Sequence, residues 1–154
     1  MPASAPQQVD KVVAYLLQTG LLAVFRHDND HDPLTESGLQ VPAGTRCPGE
    51  DLGAAVLREA QEETGVRGLR VVRFLGESEY DMRPYSNTVH RRHFFQLSCT
   101  HLLPDTWQHV ERDGGAGPPR PFTFSWLEPR RAHVLAAGQG ALLGRLVHSA
   151  PELD

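Results

Sequence analysis

The segment over residues 44–66, GTRCPGEDLGAAVLREAQEETGV, constrains the fold of this chain more than any other part. Its interior, LGAAVLREAQEET, is rich in residues that favour helices. Glu50 and Asp51 stand where a first helical turn gains from negative charge, and Gly65 stands where helices commonly stop. The segment therefore predicts a helix over residues 51–64.

This helix carries three glutamates on one side. At 100° per residue, Glu59, Glu62 and Glu63 fall within an arc of about 100°. Neighbouring carboxylates on a helix repel one another by roughly 0.2–0.5 kcal/mol per pair, and Arg58 is the only cation in the predicted helix. Hard cations such as Mg²⁺ prefer carboxylate, carbonyl and water oxygens. The pattern indicates a divalent-metal site, with a solvated acidic surface as the alternative.

The spacing of the fixed residues resembles the signature of Nudix hydrolases, an enzyme class that cleaves diphosphate linkages with divalent metal. The resemblance implies an α/β fold, an α/β/α sandwich with a mixed sheet between helices. It says little about the substrate. The matching residues are Gly44, Glu50, Arg58, Glu59, Glu62, Glu63 and Gly65, with Ala60 and Val66 at the two aliphatic positions.

The resemblance also implies roles for these residues. Glu59, Glu62 and Glu63 match carboxylates that bind Mg²⁺ or Mn²⁺ in similar proteins, and the backbone carbonyl of Ala43 matches a frequent further ligand. Arg58 matches the arginine that orients the glutamates through charge-assisted bonds.

Three further motif positions complete this expectation. Glu50 matches a position that is a metal ligand in some similar proteins and an orienting residue in others. Gly44 and Gly65 match structural glycines, which we expect in tight turns.

The general base is open between a motif glutamate and a carboxylate from a distant loop. Glu111 is the best outside candidate, because it precedes a glycine-rich run that could close over substrate. Asp113 and His109 are its rivals. The alternative is that Glu111 is simply exposed, as loop carboxylates mostly are.

The sequence His-Arg-Arg-His over residues 90–93 lies on a predicted strand. Strand alternation would turn Arg91 and Arg92 to opposite sides, so one of them could face the substrate phosphates. Tyr85 is a candidate for stacking on a base. The alternatives are exposed charge for the arginines and packing for the tyrosine.

Composition predicts one domain over residues 1–154, beginning with a flexible tail over residues 1–9. The net charge of −4 argues against a general binder of nucleic acid or membrane. Cys47 and Cys99 are too few for a disulfide framework, and no signal peptide is apparent, so we expect a cytoplasmic protein. Similar proteins are often homodimers.

The remaining patterns predict strands, loops and a second helix. We expect loops at His27–Gly38, Tyr80–Ser86 and His101–Gly117. The second helix should start at Pro129 and turn Val134, Leu135, Leu142, Leu143, Leu146 and Val147 inward. Gly138 and Gly140 weaken its middle, so the helix could break there. The strands should cover Val12–Leu17, Leu21–Arg26, Leu39–Pro42, Leu69–Leu75, Val89–Cys99 and Phe122–Trp126, with a turn at Thr19-Gly20.

The leading functional hypothesis is metal-dependent hydrolysis of the diphosphate linkage in a nucleoside diphosphate joined to another group. The first alternative is a Nudix-like nucleotide-binding or regulatory module without activity, although such modules typically lose one of the glutamates that this chain keeps. The second alternative is a metal-dependent isomerase on the same fold.

Overall fold

A computed structural model of the chain describes residues 4–27, 38–111 and 120–146. Within these ranges the chain forms seven strands, one α-helix and three short 3-10 segments. The strands are β1 (Gln7–Gln18), β2 (Leu21–His27), β3 (Ala43–Thr45), β4 (Leu69–Asp81), β5 (Thr88–Cys99), β6 (Trp107–Glu111) and β7 (Arg120–Leu127). The helix α1 covers Leu52–Thr64, and the 3-10 segments cover Pro129–Val134, Ala136–Gly138 and Leu143–Arg145. None of the helices within these ranges has the length and hydropathy of a membrane-spanning segment.

Strand β1 organises the sheet. The strands follow the order β4-β5-β1-β2-β7-β6, and β3 also pairs with β1. β1 runs parallel to β5, whereas the other pairings among the described strands are antiparallel. β1 turns into β2 at Thr19 and Gly20, whose φ values of 52° and 78° suit a two-residue hairpin. The predicted mixed sheet and this turn are both confirmed.

Hydrophobic clusters cover both faces of the sheet. Alternation along β1 sends Val12 and Ala14 into the cluster beneath α1, and Val13 and Tyr15 into the cluster on the other face. The chain after β7 contributes to this second cluster through Leu135, Leu142, Leu143 and Leu146. The predicted α/β class is therefore confirmed, with one layer made by α1 and the other by 3-10 turns.

The prediction of an α-helix from Pro129 is wrong. Ala137 and Gly138 have left-handed φ values of 52° and 72°, which interrupt any right-handed helix. Of the side chains predicted to face inward, Leu135 and Leu146 are buried, but Val134 is 48% exposed. Val147 lies outside the described residues.

Several predicted boundaries are also wrong. The tail predicted over residues 1–9 is too long because β1 begins at Gln7, and residues 1–3 lie outside the described ranges. Near the predicted strand at Leu39–Pro42 there are only isolated bridges at Leu39 and Gln40, and the strand is β3 instead. β4 continues to Asp81 because it pairs with β5 along its whole length.

Strand β6 lies in the region predicted to be irregular. Its less exposed positions are Trp107, His109 and Glu111. Because two of these three residues are polar, the strand lacks the alternation of apolar and polar residues by which a half-buried strand is recognised in a sequence. Residues 28–37 of the predicted polar loop and residues 112–119, with the glycine-rich run and Asp113, lie outside the described ranges.

Candidate active site

Helix α1 presents the motif glutamates because its ends are capped and one side is buried. Asp51 Oδ2 accepts a hydrogen bond from the Ala54 N–H at 3.0 Å. Gly65, with a φ of 72°, donates its N–H to the Gln61 carbonyl at 2.8 Å. The side that faces the sheet buries Ala55, Val56, Ala60 and Thr64. The predicted helix is confirmed, and its acidic side points away from the core.

Arg58 connects three of the motif carboxylates. Its Nε and Nη2 donate to the two oxygens of Glu50, each at 2.9 Å, and its Nη1 donates to Glu59 Oε1 at 2.8 Å. The same Nη1 lies 3.6 Å from Glu62 Oε1. Nη2 also donates to the Thr45 carbonyl at 3.1 Å. The guanidinium thereby fixes the carboxylates relative to strand β3.

Glu50 is fully engaged in this network. Besides the two bonds from Arg58, its Oε1 accepts the Cys47 N–H at 3.0 Å. The hydrogen bonds from Arg58 and Cys47 lower the pKa of Glu50 to about 2. This arrangement suits an orienting residue better than a metal ligand.

Glu63 approaches the backbone of β3. Its Oε1 accepts the Ala43 N–H at 2.7 Å. The bonds from the Ala14 N–H to Pro42 and from the Arg46 N–H to Asp10 identify the residues whose backbone groups face β1. Because such groups alternate along an antiparallel pair, those of Ala43 and Thr45 point away from β1. The outer edge of β3 therefore meets the acidic side of α1.

Gly44 makes this approach possible. A Cβ at Gly44 would lie 2.0 Å from both Cδ and Oε2 of Glu59. Gly44 lies within β3, paired with Val12, rather than in the predicted tight turn. Its lack of a side chain is needed for contact with Glu59, whereas Gly65 ends the helix in the left-handed conformation.

The two half-buried glutamates resist ionisation. Burial raises the pKa of Glu63 to about 8, against the opposing effect of the Ala43 N–H, and the charge of Glu111 raises it further. Burial also raises the pKa of Glu59, although Arg58 works against this shift. A positive charge bound beside these two carboxylates would therefore stabilise their ionised forms.

The donor set fits a hard divalent cation. Glu59, Glu62 and Glu63 supply carboxylate oxygens beside the outward-facing backbone of Ala43, which are ligands that Mg²⁺ and Mn²⁺ accept. Among the described residues, no three acidic, histidine or cysteine side chains already surround one point. Glu62 has a 53% exposed side chain that is open to solvent, so it can turn toward the other two.

Strand β6 is fastened to the C-terminal turn of α1. Trp107 Nε1 donates to the Thr64 carbonyl at 3.0 Å, and His109 Nε2 lies 2.9 Å from the Glu62 carbonyl. These contacts satisfy helix carbonyls that have no partner within the helix. They also engage His109, the rival general base. Glu111, at the end of this strand, lies within electrostatic range of Glu63.

The predicted substrate-binding residues Arg91, Tyr85 and Arg92 lie in three different surroundings. Arg91 pairs with Glu79 at 3.5 Å, and Tyr85 is 92% exposed between β4 and β5. Arg92 is buried, with its guanidinium carbon 4.3 Å from the centroid of the Tyr80 ring, and it donates to the Ala137 carbonyl. Its contacts hold the 3-10 region against the sheet.

Sequence reasoning missed Lys11. It lies on β1, which pairs directly with β3, whereas Arg91 and Arg92 lie on β5, one strand further from β3. Its Nζ donates to Thr45 Oγ1 at 2.7 Å. Burial lowers the pKa of Lys11, and the nearby charge of Glu59 raises it. The signal in the sequence was that Lys11 is the only lysine, but the pairing of β1 with β3 was needed to locate it.

The chain is similar to known proteins in sequence and in fold. In sequence, the chain is 40% identical over 90 residues to human diphosphoinositol polyphosphate phosphohydrolase 3-alpha, covering 54% of this chain and 51% of that protein. The chain thus spans about half the length of this curated relative.

Solved structures share the fold at low identity. A UDP-X diphosphatase aligns with a TM-score of 0.61 and 14% identity over 93% of this chain and 64% of that one. The MutT protein of Methanosarcina mazei aligns with a TM-score of 0.63 and 16% identity, over 93% and 95%. A NUDIX hydrolase from Nitrosomonas europaea aligns with a TM-score of 0.59 and 21% identity, over 94% and 82%.

The family model of the NUDIX domain matches residues 8–141. This match includes β1 from its second residue, the whole motif, the edge strand β3 and β6. The chain therefore belongs to the Nudix family.

Proposed function

We propose that this protein is a divalent-metal-dependent hydrolase that cleaves a diphosphate linkage, with a nucleoside diphosphate joined to another group as the substrate class. The observation that carries the proposal is the complete carboxylate set on α1, organised by Arg58 against the edge of β3. A purely structural helix would gain nothing from gathering carboxylates that burial makes hard to ionise.

Glu59, Glu62 and Glu63, with the backbone carbonyl of Ala43, would hold Mg²⁺ or Mn²⁺. The bound metal would neutralise phosphate charge and lower the pKa of a bound water. Arg58 keeps the Glu59 carboxylate in one orientation through a charge-assisted bond.

Around these ligands, Glu50 acts as an orienting residue, because both of its oxygens hold Arg58. Glu111 is the proposed general base. It stands at the end of β6, which Trp107 and His109 tie to α1, and its charge acts on Glu63. Its task is to accept the proton of the attacking water.

The substrate class is supported by the chemistry of the site and by the names of similar proteins. One relative is named for diphosphoinositol polyphosphates and one structural neighbour for UDP-X. Both names describe compounds with more than one phosphate. A screen should therefore include UDP-sugars and a diphosphoinositol polyphosphate beside ADP-ribose, dinucleoside polyphosphates and nucleoside triphosphates.

The test is a product-resolved assay of the purified protein on this panel with Mg²⁺ or Mn²⁺. We expect hydrolysis of at least one compound, with loss of about 100-fold or more in rate for Glu62→Gln and Glu63→Gln. Inactivity of the wild-type protein with both metals on the whole panel would favour the alternative of a binding module. Near-normal rates in both variants would refute their role as ligands.

Three further properties are proposed from the sequence. The two free cysteines, Cys47 and Cys99, suit a cytoplasmic location. The net charge of −4 suits a small-molecule substrate rather than nucleic acid or membrane. A homodimer is expected from the family resemblance, and sedimentation of the purified protein would test it.

A further inference from the structure

Lys11 lies on β1, the strand that pairs with β3 beside the motif glutamates. In the register of the sheet it is opposite Thr45 of β3 on one side and Arg92 of β5 on the other. Its Nζ donates to Thr45 Oγ1 at 2.7 Å. The carbonyl of the same Thr45 accepts from Arg58 at 3.1 Å. One residue thus links the Lys11 ammonium to the network that orients the glutamates.

The glutamates themselves are close to Lys11. Gly44, the residue before Thr45, is in contact with the Glu59 carboxylate. The charges of Glu59 and Glu63 both act on the Lys11 ammonium. The Lys11 ammonium and the glutamates therefore lie close to the same strand, β3.

Lys11 differs from Arg92, its neighbour on β5, in how its charged group is held. The Arg92 guanidinium is buried between the Tyr80 ring and the Ala137 carbonyl, so it serves the packing of the fold. The Lys11 ammonium donates to a neutral hydroxyl, and an ammonium has three donors. The ammonium can therefore donate to a further acceptor while it keeps its hydrogen bond to Thr45.

We propose that Lys11 binds substrate, with its ammonium donating to a phosphate oxygen on the side of the diphosphate turned away from the three glutamates. This inference rests on the proposed function. A compact ammonium is a common partner for phosphate. A diphosphate beside three carboxylates needs more positive charge than one divalent ion supplies, and Lys11 offers one such charge beside β3. The competing role is a counter-charge for the glutamates alone.

The test is calorimetric binding of methylenediphosphonate, a diphosphate that cannot be hydrolysed, at saturating Mg²⁺. We expect Lys11→Met to weaken binding by about tenfold or more, as for a lost charge-assisted hydrogen bond. Lys11→Arg should recover most of the affinity. The matched control is Arg70→Met, which removes an equal charge from an exposed position on β4.

Two results would overturn the inference. In the first, Lys11→Met binds the diphosphonate as tightly as the wild-type protein. In the second, it changes only the affinity for Mg²⁺ alone, as a counter-charge would. Since turnover is not needed, a wild-type protein that binds the diphosphonate but hydrolyses nothing contradicts the proposed function and leaves Lys11 testable.

A second measurement does not depend on folding of the variant. Lys11 is the only lysine, so acetylation of the folded wild-type protein modifies one side-chain ammonium, which peptide mass analysis separates from the N-terminus. We expect Mg²⁺ with methylenediphosphonate to slow acetylation of Lys11 several-fold, and Mg²⁺ alone to have little effect. Equal rates with and without the diphosphonate would reject the contact.

Discussion

Gly44→Ala tests whether the motif glycine exists to admit a glutamate. Its φ lies outside the left-handed region, so alanine can adopt the backbone conformation. The new Cβ would lie 2.0 Å from Glu59 Cδ, whereas non-bonded carbon atoms prefer about 3.5–4.0 Å. The Glu59 carboxylate must therefore move by roughly 1.5 Å or more. Its side chain is only 16% exposed, so it has little room to do so.

The displacement costs both stability and rate. It breaks the 2.8 Å bond from Arg58 to Glu59, and a lost bond between charged groups costs about 1.5–3 kcal/mol. Part of this loss will be recovered through water. The rate should fall further, by about 100-fold, because misplacing a catalytic group by about 1 Å can have that effect. Urea unfolding measures the loss of stability, steady-state kinetics the loss of rate, and Mg²⁺ titration the accompanying loss of metal affinity.

A double-mutant cycle makes the reasoning specific. Glu59→Asp withdraws the carboxylate by one methylene, so Gly44→Ala should do less additional harm in that background than in the wild-type protein. The control is Gly144→Ala, where a Cβ meets nothing within 4 Å and the backbone φ is also outside the left-handed region. Wild-type rate and Mg²⁺ affinity in a folded Gly44→Ala protein would refute the steric argument, as would strict additivity in the cycle.

Two further predictions concern the same site. Because the pKa of Glu63 is raised to about 8, the stability that its protonated carboxyl contributes is fully present below the ordinary pKa of 4.5 and is lost as pH rises through 8. Thermal unfolding in the presence of a chelator should show this decline, and Glu63→Gln should flatten it. Mg²⁺ should therefore raise the melting temperature more at pH 9 than at pH 6, and an equal shift at both would contradict the burial of this carboxyl. Trp107→Phe leaves the Thr64 carbonyl without its donor and should lower the free energy of unfolding by about 1–3 kcal/mol in a urea titration. An unchanged value would mean that water replaces the indole N–H.

The features that could be predicted from sequence are local. The helix α1 follows from its formers and caps, and the turn at Thr19 and Gly20 follows from the glycine, which accepts a positive φ. The gathering of the three glutamates on one side of α1 needs only the helical period. Each of these inferences depends on residues a few positions apart.

The features that escaped prediction depend on pairing between distant strands. β6 becomes a strand because it pairs with β7 and contacts the end of α1, although its less exposed positions include the polar residues His109 and Glu111. Lys11 joins the site because β1 pairs with β3, more than 30 positions away. Arg92 and Arg91 looked equivalent in sequence, but one is buried against Tyr80 and the other pairs with Glu79.

The edge position of β3 explains why so short a strand belongs to the site. Its three residues pair with β1 on one side only, so on the other side Ala43 donates to Glu63 and Thr45 accepts from Arg58. An edge strand normally leaves such groups unpaired. Here they hold the carboxylates that a metal requires, while Gly44 between them provides the space for Glu59. The site is therefore formed by the pairing of β1 with β3, and local opening of this edge would remove the orientation of the glutamates before the core unfolds.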